Sequence, residues 1–361
     1  MIHHLLIILK YNNMKILFSF LLVLSFCDSL QAQVQKDQPP YLTRSLASES
    51  IKNVEVQTSG GSIAVTGGNP AEARIEVYIN RSNQKKGETL SKEEIQRKLE
   101  EDYNFTINIS NNKVTAVAKP KNRNMDWKKA LNISFKVFVP QNASTDLATS
   151  GGSIQLKNLS GTQNFTTSGG SLSVDNLSGK VKGRTSGGSI HLANSKDDMD
   201  LSTSGGSILA ENCNGNLNLT TSGGSVDLKG LKGSIKAHTS GGGISGNNIE
   251  GELIASTSGG SVNLKELSCS LETETSGGNM DVSIKNLGSY VKVRNSGGNI
   301  NLQLPANKGV DLNMKANQIR TATLNNFSGS TKDDELDGKL NGGGIPVTVK
   351  AGSGNINLSF Q

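Results

Sequence analysis

Few residues in this chain have the types and spacing that chemistry needs. Asp198 and Asp200 are two apart, so on a strand both carboxylates share one face, as an acid–base pair across a glycosidic bond would require. Lys180 and Lys182 stand one sequence period earlier and would lie beside them, which makes a ladder of opposite charges the competing reading. His191 and His238 fall at outward positions of different strands, without a carboxylate partner that the register identifies. Neither a Ser-His-Asp relay nor a metal site follows from them. Trp127 sits in a basic loop, Lys119–Lys129, which would suit an anion but equally suits an aromatic anchor to the core. The residue types therefore nominate no catalytic, cofactor-binding or metal-ligating set. The expectation is a protein that is not an enzyme and needs no cofactor.

Composition points the same way. Only 4% of the 361 residues are aromatic while glycine numbers 41, so any core must be thin and aliphatic. A net charge of +6 is too dilute over a chain this long to argue for nucleic acid. Attraction to acidic glycans is the weaker alternative to a plainly solvated surface. Partners at this stage are cell-surface glycans or envelope proteins, and the oligomeric state is unspecified.

What must position these residues is a repeat. Thr-Ser-Gly-Gly recurs from Thr149 to Thr275 in steps of 18 residues without insertion or deletion. Fixed self-similarity of this length marks units that bury their apolar faces only by stacking. Counting Thr as position 1, positions 6 and 8 are apolar (Ile154 and Leu156, Ile190 and Leu192), as mostly are positions 15 and 17 (Met199 and Leu201, Leu217 and Leu219). Residues two apart share a strand face, so each unit holds two short strands with one face inward. Between them Asn158-Leu159-Ser160-Gly161 and its copies supply residues that tolerate positive φ, as a tight corner needs. The fold class is all-β: a single-stranded parallel β-solenoid of 18-residue coils. Stacking would align Asn158, Asn176, Asn194 and Asn212 in an amide ladder. The Thr side chains share the parity of the inward positions, which argues against a flat ice-binding Thr face. The Ser-Gly-Gly-Ser corner carries no carboxylate for a calcium ladder.

The flanks differ. Residues 1–32 read as a secretory signal: Lys15, the apolar run Ile16–Phe26, then Leu30-Gln31-Ala32 for cleavage. Phe26 is too bulky for lipidation of Cys27, and no further stretch is long and apolar enough for a transmembrane segment in the mature chain. The mature protein is thus expected outside the cytoplasm: in the periplasm, on the outer surface or secreted. Residues 33–142 lack the period and form a β-rich N-terminal cap. It holds an isolated repeat copy at Thr58–Ile63, strands at Ala73–Asn80, Phe105–Ser110, Val114–Lys119 and Leu131–Val139, and one short helix over 92–103. Ser91-Lys92-Glu93-Glu94 is that helix's capping box. Residues 143–308 are the solenoid. Residues 309–361 hold the last coils and C-terminal cap, with Ser328–Gly338 read as a polar, acidic loop. Cys213 and Cys269 are expected to stay unpaired, three coils apart.

The run Ile133–Pro140, leading through Leu147 into Thr149-Ser150-Gly151-Gly152-Ser153-Ile154, is followed much later by Gly342-Gly343-Gly344 and Gly352-Ser353-Gly354-Asn355-Ile356. This arrangement resembles the putative-adhesin β-strand-repeat family (DUF4097-like, head-GIN-like exported bacterial proteins) over Ser48–Gln361. The resemblance implies a right-handed β-helix with no established activity, and it brings no catalytic residues. The main alternative is a polysaccharide-active β-helix enzyme, a lyase or hydrolase, which would need a local groove where the period breaks.

Overall fold

A computed structural model describes residues 39–82, 90–122 and 130–361. The stretch 1–32 read as a secretory signal, and Trp127, lie outside them. The described strands all belong to one compact unit, Pro40–Gln361. All of these strands join one hydrogen-bonded system that forms a β-solenoid-like stack.

The stack has two faces around one aliphatic core. On the first, Ile154–Lys157, Leu172–Asp175, Ile190–Ala193 and Ile208–Glu211 pair in parallel, and the leading halves of Val226–Thr239, Ile244–Thr257, Val262–Thr275 and Met280–Asn295 continue the series. On the second, Ser144–Ala148, Gln163–Thr166, Lys180–Thr185, Lys196–Thr203 and Asn214–Thr221 stack likewise, followed by the trailing halves. The inward residues of both faces, Ile190, Leu192, Leu217 and Leu219 among them, are buried in a single cluster.

Local chemistry sets the corners. Asn158, Asn176, Asn194, Asn212, Gly230, Asn248 and Glu266 occupy one corner with φ between 52° and 60°, the left-handed region that Asn and Gly tolerate best. At the Thr-Ser-Gly-Gly corner each Thr is buried, and its Oγ1 donates to the second-Gly carbonyl of the preceding coil, as from Thr185 to Gly170 and from Thr203 to Gly188, both at 2.7 Å. The same Oγ1 accepts from the second-Gly N–H of its own coil at 3.3 Å. That second glycine is forced by the close approach of coils: a Cβ on Gly188 would overlap the Gly170 carbonyl, whereas one on Gly187 would sit at an ordinary 3.5 Å. The period ends with a substitution that keeps the chemistry. Asn295 takes the Thr place and donates to the Gly278 carbonyl at 2.7 Å.

Spatial order departs from chain order at both ends. Asn53–Thr58 lies between Lys113–Pro120 and Ser144–Ala148, and Ile63–Gly68 lies between Leu131–Pro140 and Ile154–Lys157. The repeat copy at Thr58–Ile63 is therefore isolated only in sequence: Thr58 Oγ1 donates to the Ile133 carbonyl, and Thr149 Oγ1 to Gly61. At the other end Ile345–Ala351 is inserted between Met280–Asn295 and Val310–Lys315, and Asn355–Phe360 between Ile300–Leu304 and Gln318–Thr321.

Antiparallel strands finish the stack: Leu42–Ser45 and Arg74–Arg81 on the first face, Tyr103–Ser110 on the second. The helix Lys92–Asp102 starts at Ser91, whose side chain accepts from the Glu94 N–H, and it buries Ile95 and Leu99. The stretch read as a polar loop is instead a hairpin, Phe327–Thr331 against Glu335–Leu340, paired to Val310–Lys315. Phe327–Thr331 is exposed at four of its five residues and Glu335–Leu340 buries only Leu336 and Leu340, so polar residues cost little there, while the pairing covers an otherwise open sheet edge.

Candidate binding faces

Each outward row is set by the register, so the side chains there are spaced by roughly 4.8 Å along the stack. Polar groups bond from coil to coil. Asn301 donates to Asp281 at 2.6 Å and Asn357 to Asn301 at 2.7 Å. Ion pairs also bridge coils: Lys157 to Asp175 at 3.3 Å, Lys229 to Glu211 at 3.2 Å, Lys232 to Glu250 at 2.9 Å and Lys292 to Glu272 at 3.5 Å.

Asp198 and Asp200 do lie on one strand with Lys180 and Lys182 directly opposite, and these four line an open groove of about 400 Å³. The carboxylates are not bonded to the lysines, however. Asp198 accepts from Asn216 and Asp200 from Asn218, each at 2.8 Å, so the acids are tied to the coil above and the lysines face solvent. The Asn corner is likewise only partly a ladder. Asn176 donates to Asn158 at 2.8 Å, but Asn194 turns to the Asp175 carboxylate at 2.9 Å, a stronger acceptor than an amide. That bond, aided by Lys157, holds the Asp175 carboxyl below its ordinary range.

The histidines part company. His238 Nδ1 is 2.9 Å from Ser256 Oγ, while His191 Nε2 lies 3.4 Å from Glu211, a carboxylate partner that the register argument missed. Glu211 is one coil on and two positions along, a diagonal neighbour, and a search for diagonal partners would have found it. Among the described residues no group of three or more His, Cys, Asp and Glu is placed to hold a metal ion. Cys213 and Cys269 are free and buried; burial pushes the Cys269 thiol up to about 12. Among the variable outward residues, Gln155, Asp227 and Asn263 stand exposed or half-buried on the first face with His191.

Where the 18-residue step loosens, the Tyr290 hydroxyl donates to Glu252 at 2.9 Å across two coils, beside Lys292, whose Nζ stands 5.1 Å from the ring centre. Burial, followed by that carboxylate, raises the Tyr290 phenol to about 12. No helix among the described residues is long and apolar enough to cross a membrane.

The profile of one family, described as Toastrack DUF4097, matches residues 106–359. No curated protein matches. Among solved structures, one described as a putative cell adhesion protein from Clostridium sporogenes is similar over 89% of this chain and 98% of its own, with 12% identity and a TM-score of 0.18.

Proposed function

The chain belongs to the Toastrack DUF4097 family, and on that premise we propose that it is a non-catalytic, extracytoplasmic binding module or scaffold of the adhesin kind. In this reading the stack winds as a right-handed single-stranded parallel β-solenoid, the hand that parallel crossovers adopt. It leaves the cytoplasm by cleavage near Ala32 and meets cell-surface glycans or envelope proteins. The observation that carries the proposal is the pair of continuous outer faces, whose polar side chains recur strand after strand and are held in place by bonds between coils. Weak contacts repeated at that spacing add through multivalency without a deep pocket.

The groove at Asp198 and Asp200 favours a second reading, cleavage of a polysaccharide. Against it, each acid is already tied to an asparagine of the next coil and no aromatic platform lines the groove. The test is whole-cell and glycan-array binding run beside turnover of acidic polysaccharides. Binding that falls in steps as coils are removed supports the module. Turnover abolished by Asp198→Ala or Asp200→Ala overturns it.

A further inference from the structure

We propose that the junction where the strand Ile345–Ala351 is inserted is a binding site for an acidic polysaccharide, held by Arg294, Lys350 and Lys315. The register pairs Arg294 with Lys350 and Lys350 with Lys315, so three cations stand in one row on neighbouring parallel strands. They line a cleft of about 520 Å³ together with Asn317, Ser296 and Glu274. Like charges placed directly opposite destabilise a sheet. Several lysines of this fold pair with a carboxylate on a neighbouring coil, as at Lys229, Lys232 and Lys292. Lys350 instead has a cation opposite it on both sides. None of the three cations forms an ion pair among the described residues. The acids at the ends of the row form no ion pair with it: Glu274 lies opposite Arg294, and Glu335, opposite Lys315, is held at 2.9 Å by Lys332.

Charge complementarity sets the ligand class. The row spans roughly 10 Å across three strands, more than one carboxylate or phosphate covers, so the occupant carries repeated anionic groups. No aromatic residue lines the cleft for base stacking, whereas the Asn317 amide and the Ser296 hydroxyl suit sugar hydroxyls. An acidic saccharide chain fits better than a nucleic acid. The inference rests on the binding-module reading and gives it a ligand.

The test is titration of the full exported chain with polygalacturonate, dextran sulfate, neutral dextran, inorganic phosphate and a single-stranded oligonucleotide of matched charge. The expected result is salt-sensitive binding of an acidic glycan, weakened about tenfold or more by the Arg294→Gln, Lys350→Gln, Lys315→Gln triple variant, since each charge-assisted contact is among the stronger kinds. The polygalacturonate and dextran sulfate arms decide between carboxylate and sulfate. A Lys92→Gln, Lys98→Gln control on the helix Lys92–Asp102, away from the outer faces, should bind as the parent does. Without ligand, Lys350→Gln should raise the melting temperature at low salt by relieving repulsion. Unchanged binding in the triple variant overturns the proposal, as does equal affinity for neutral dextran, phosphate or the oligonucleotide. A parent chain that adheres to cells but binds no acidic glycan sinks this site and leaves the module reading standing. Loss of both sinks both.

Discussion

The central coils and the two ends are built from the same strands by different rules. In the centre each strand pairs with its sequence neighbour one period away, through contacts 18 residues apart. At the ends the partners are remote: Ser153 reaches Ser62 across 91 residues, Ser62 reaches Ser134 across 72, and Asn355 reaches Asn299 across 56. Local pairing closes short loops and propagates from any coil. Near-identical coils, however, offer little to stop one unit sliding past another. The remote pairings use segments found once in the chain, such as the strand around Phe135, whose ring stacks on Phe105 at 6.5 Å. The centre thus supplies cooperativity and the ends fix the count of coils.

The largest expected effect breaks the centre. Leu219 is fully buried, and Leu219→Asp would place an unpaired carboxylate in an aliphatic core at a cost of several kcal/mol, roughly the whole stability of a small domain. Denaturant unfolding should lose its cooperative transition. Asn218 faces outward, but Asn218→Asp is not neutral, because its amide donates to Asp200 and the change would oppose two carboxylates. A cost of about 0.5 kcal/mol is expected, and it should shrink in salt.

Next come the two glycines of one corner. Gly188→Ala cannot be accommodated without moving the Gly170 backbone, whereas Gly187→Ala meets nothing closer than 3.5 Å. Melting should show a large loss for the first and little change for the second. An equally small loss for both would mean that the coils approach less closely than the stack requires.

A smaller contrast uses one substitution with opposite signs. Thr203→Val removes a buried hydroxyl that joins two coils, costing about 1–2 kcal/mol. Thr273 is buried with an unbonded hydroxyl, so Thr273→Val should stabilise by about 1 kcal/mol. The hydroxyls at the repeated corner, not threonine as such, are what bind coil to coil.

The effect that is smallest near neutral pH is that of a buried thiol. Burial raises the Cys269 thiol from 9.0 to about 12, so the fold favours the neutral form. That contribution is intact below pH 9.0 and declines as pH rises toward 12. Native protein at pH 8 should resist alkylation at Cys269, and unfolded protein should react readily, as peptide mapping would show.

Much of this architecture was legible in the sequence, for identifiable reasons. Alternation at positions 6, 8, 15 and 17 placed Ile190, Leu192, Leu217 and Leu219 inward, and parity placed the Thr hydroxyls inside. The threading was not legible, because periodicity reports which faces match and not which segment fills a gap. Thr58–Ile63 therefore read as a stray copy. Ser328–Gly338 read as a loop because Phe327–Thr331 is exposed at four of its five residues and Glu335–Leu340 buries only Leu336 and Leu340, which leaves little apolar alternation. The cation row was equally hidden: Arg294, Lys350 and Lys315 are neighbours only because Ile345–Ala351 is inserted out of order.

One cross-linking measurement tests the threading most directly. Lys292 pairs with Thr348, and Thr348 with Asn313, so Lys292 and Asn313 are two strands apart. Adjacent strands lie about 4.8 Å apart and alternate ones roughly 10 Å, while a disulfide needs Cα atoms within about 7 Å. Under mild oxidation the Lys292→Cys, Thr348→Cys variant should close a disulfide, and the Lys292→Cys, Asn313→Cys variant should not. The reverse result would mean that the coils stack in chain order to the end and that Ile345–Ala351 is not inserted between them.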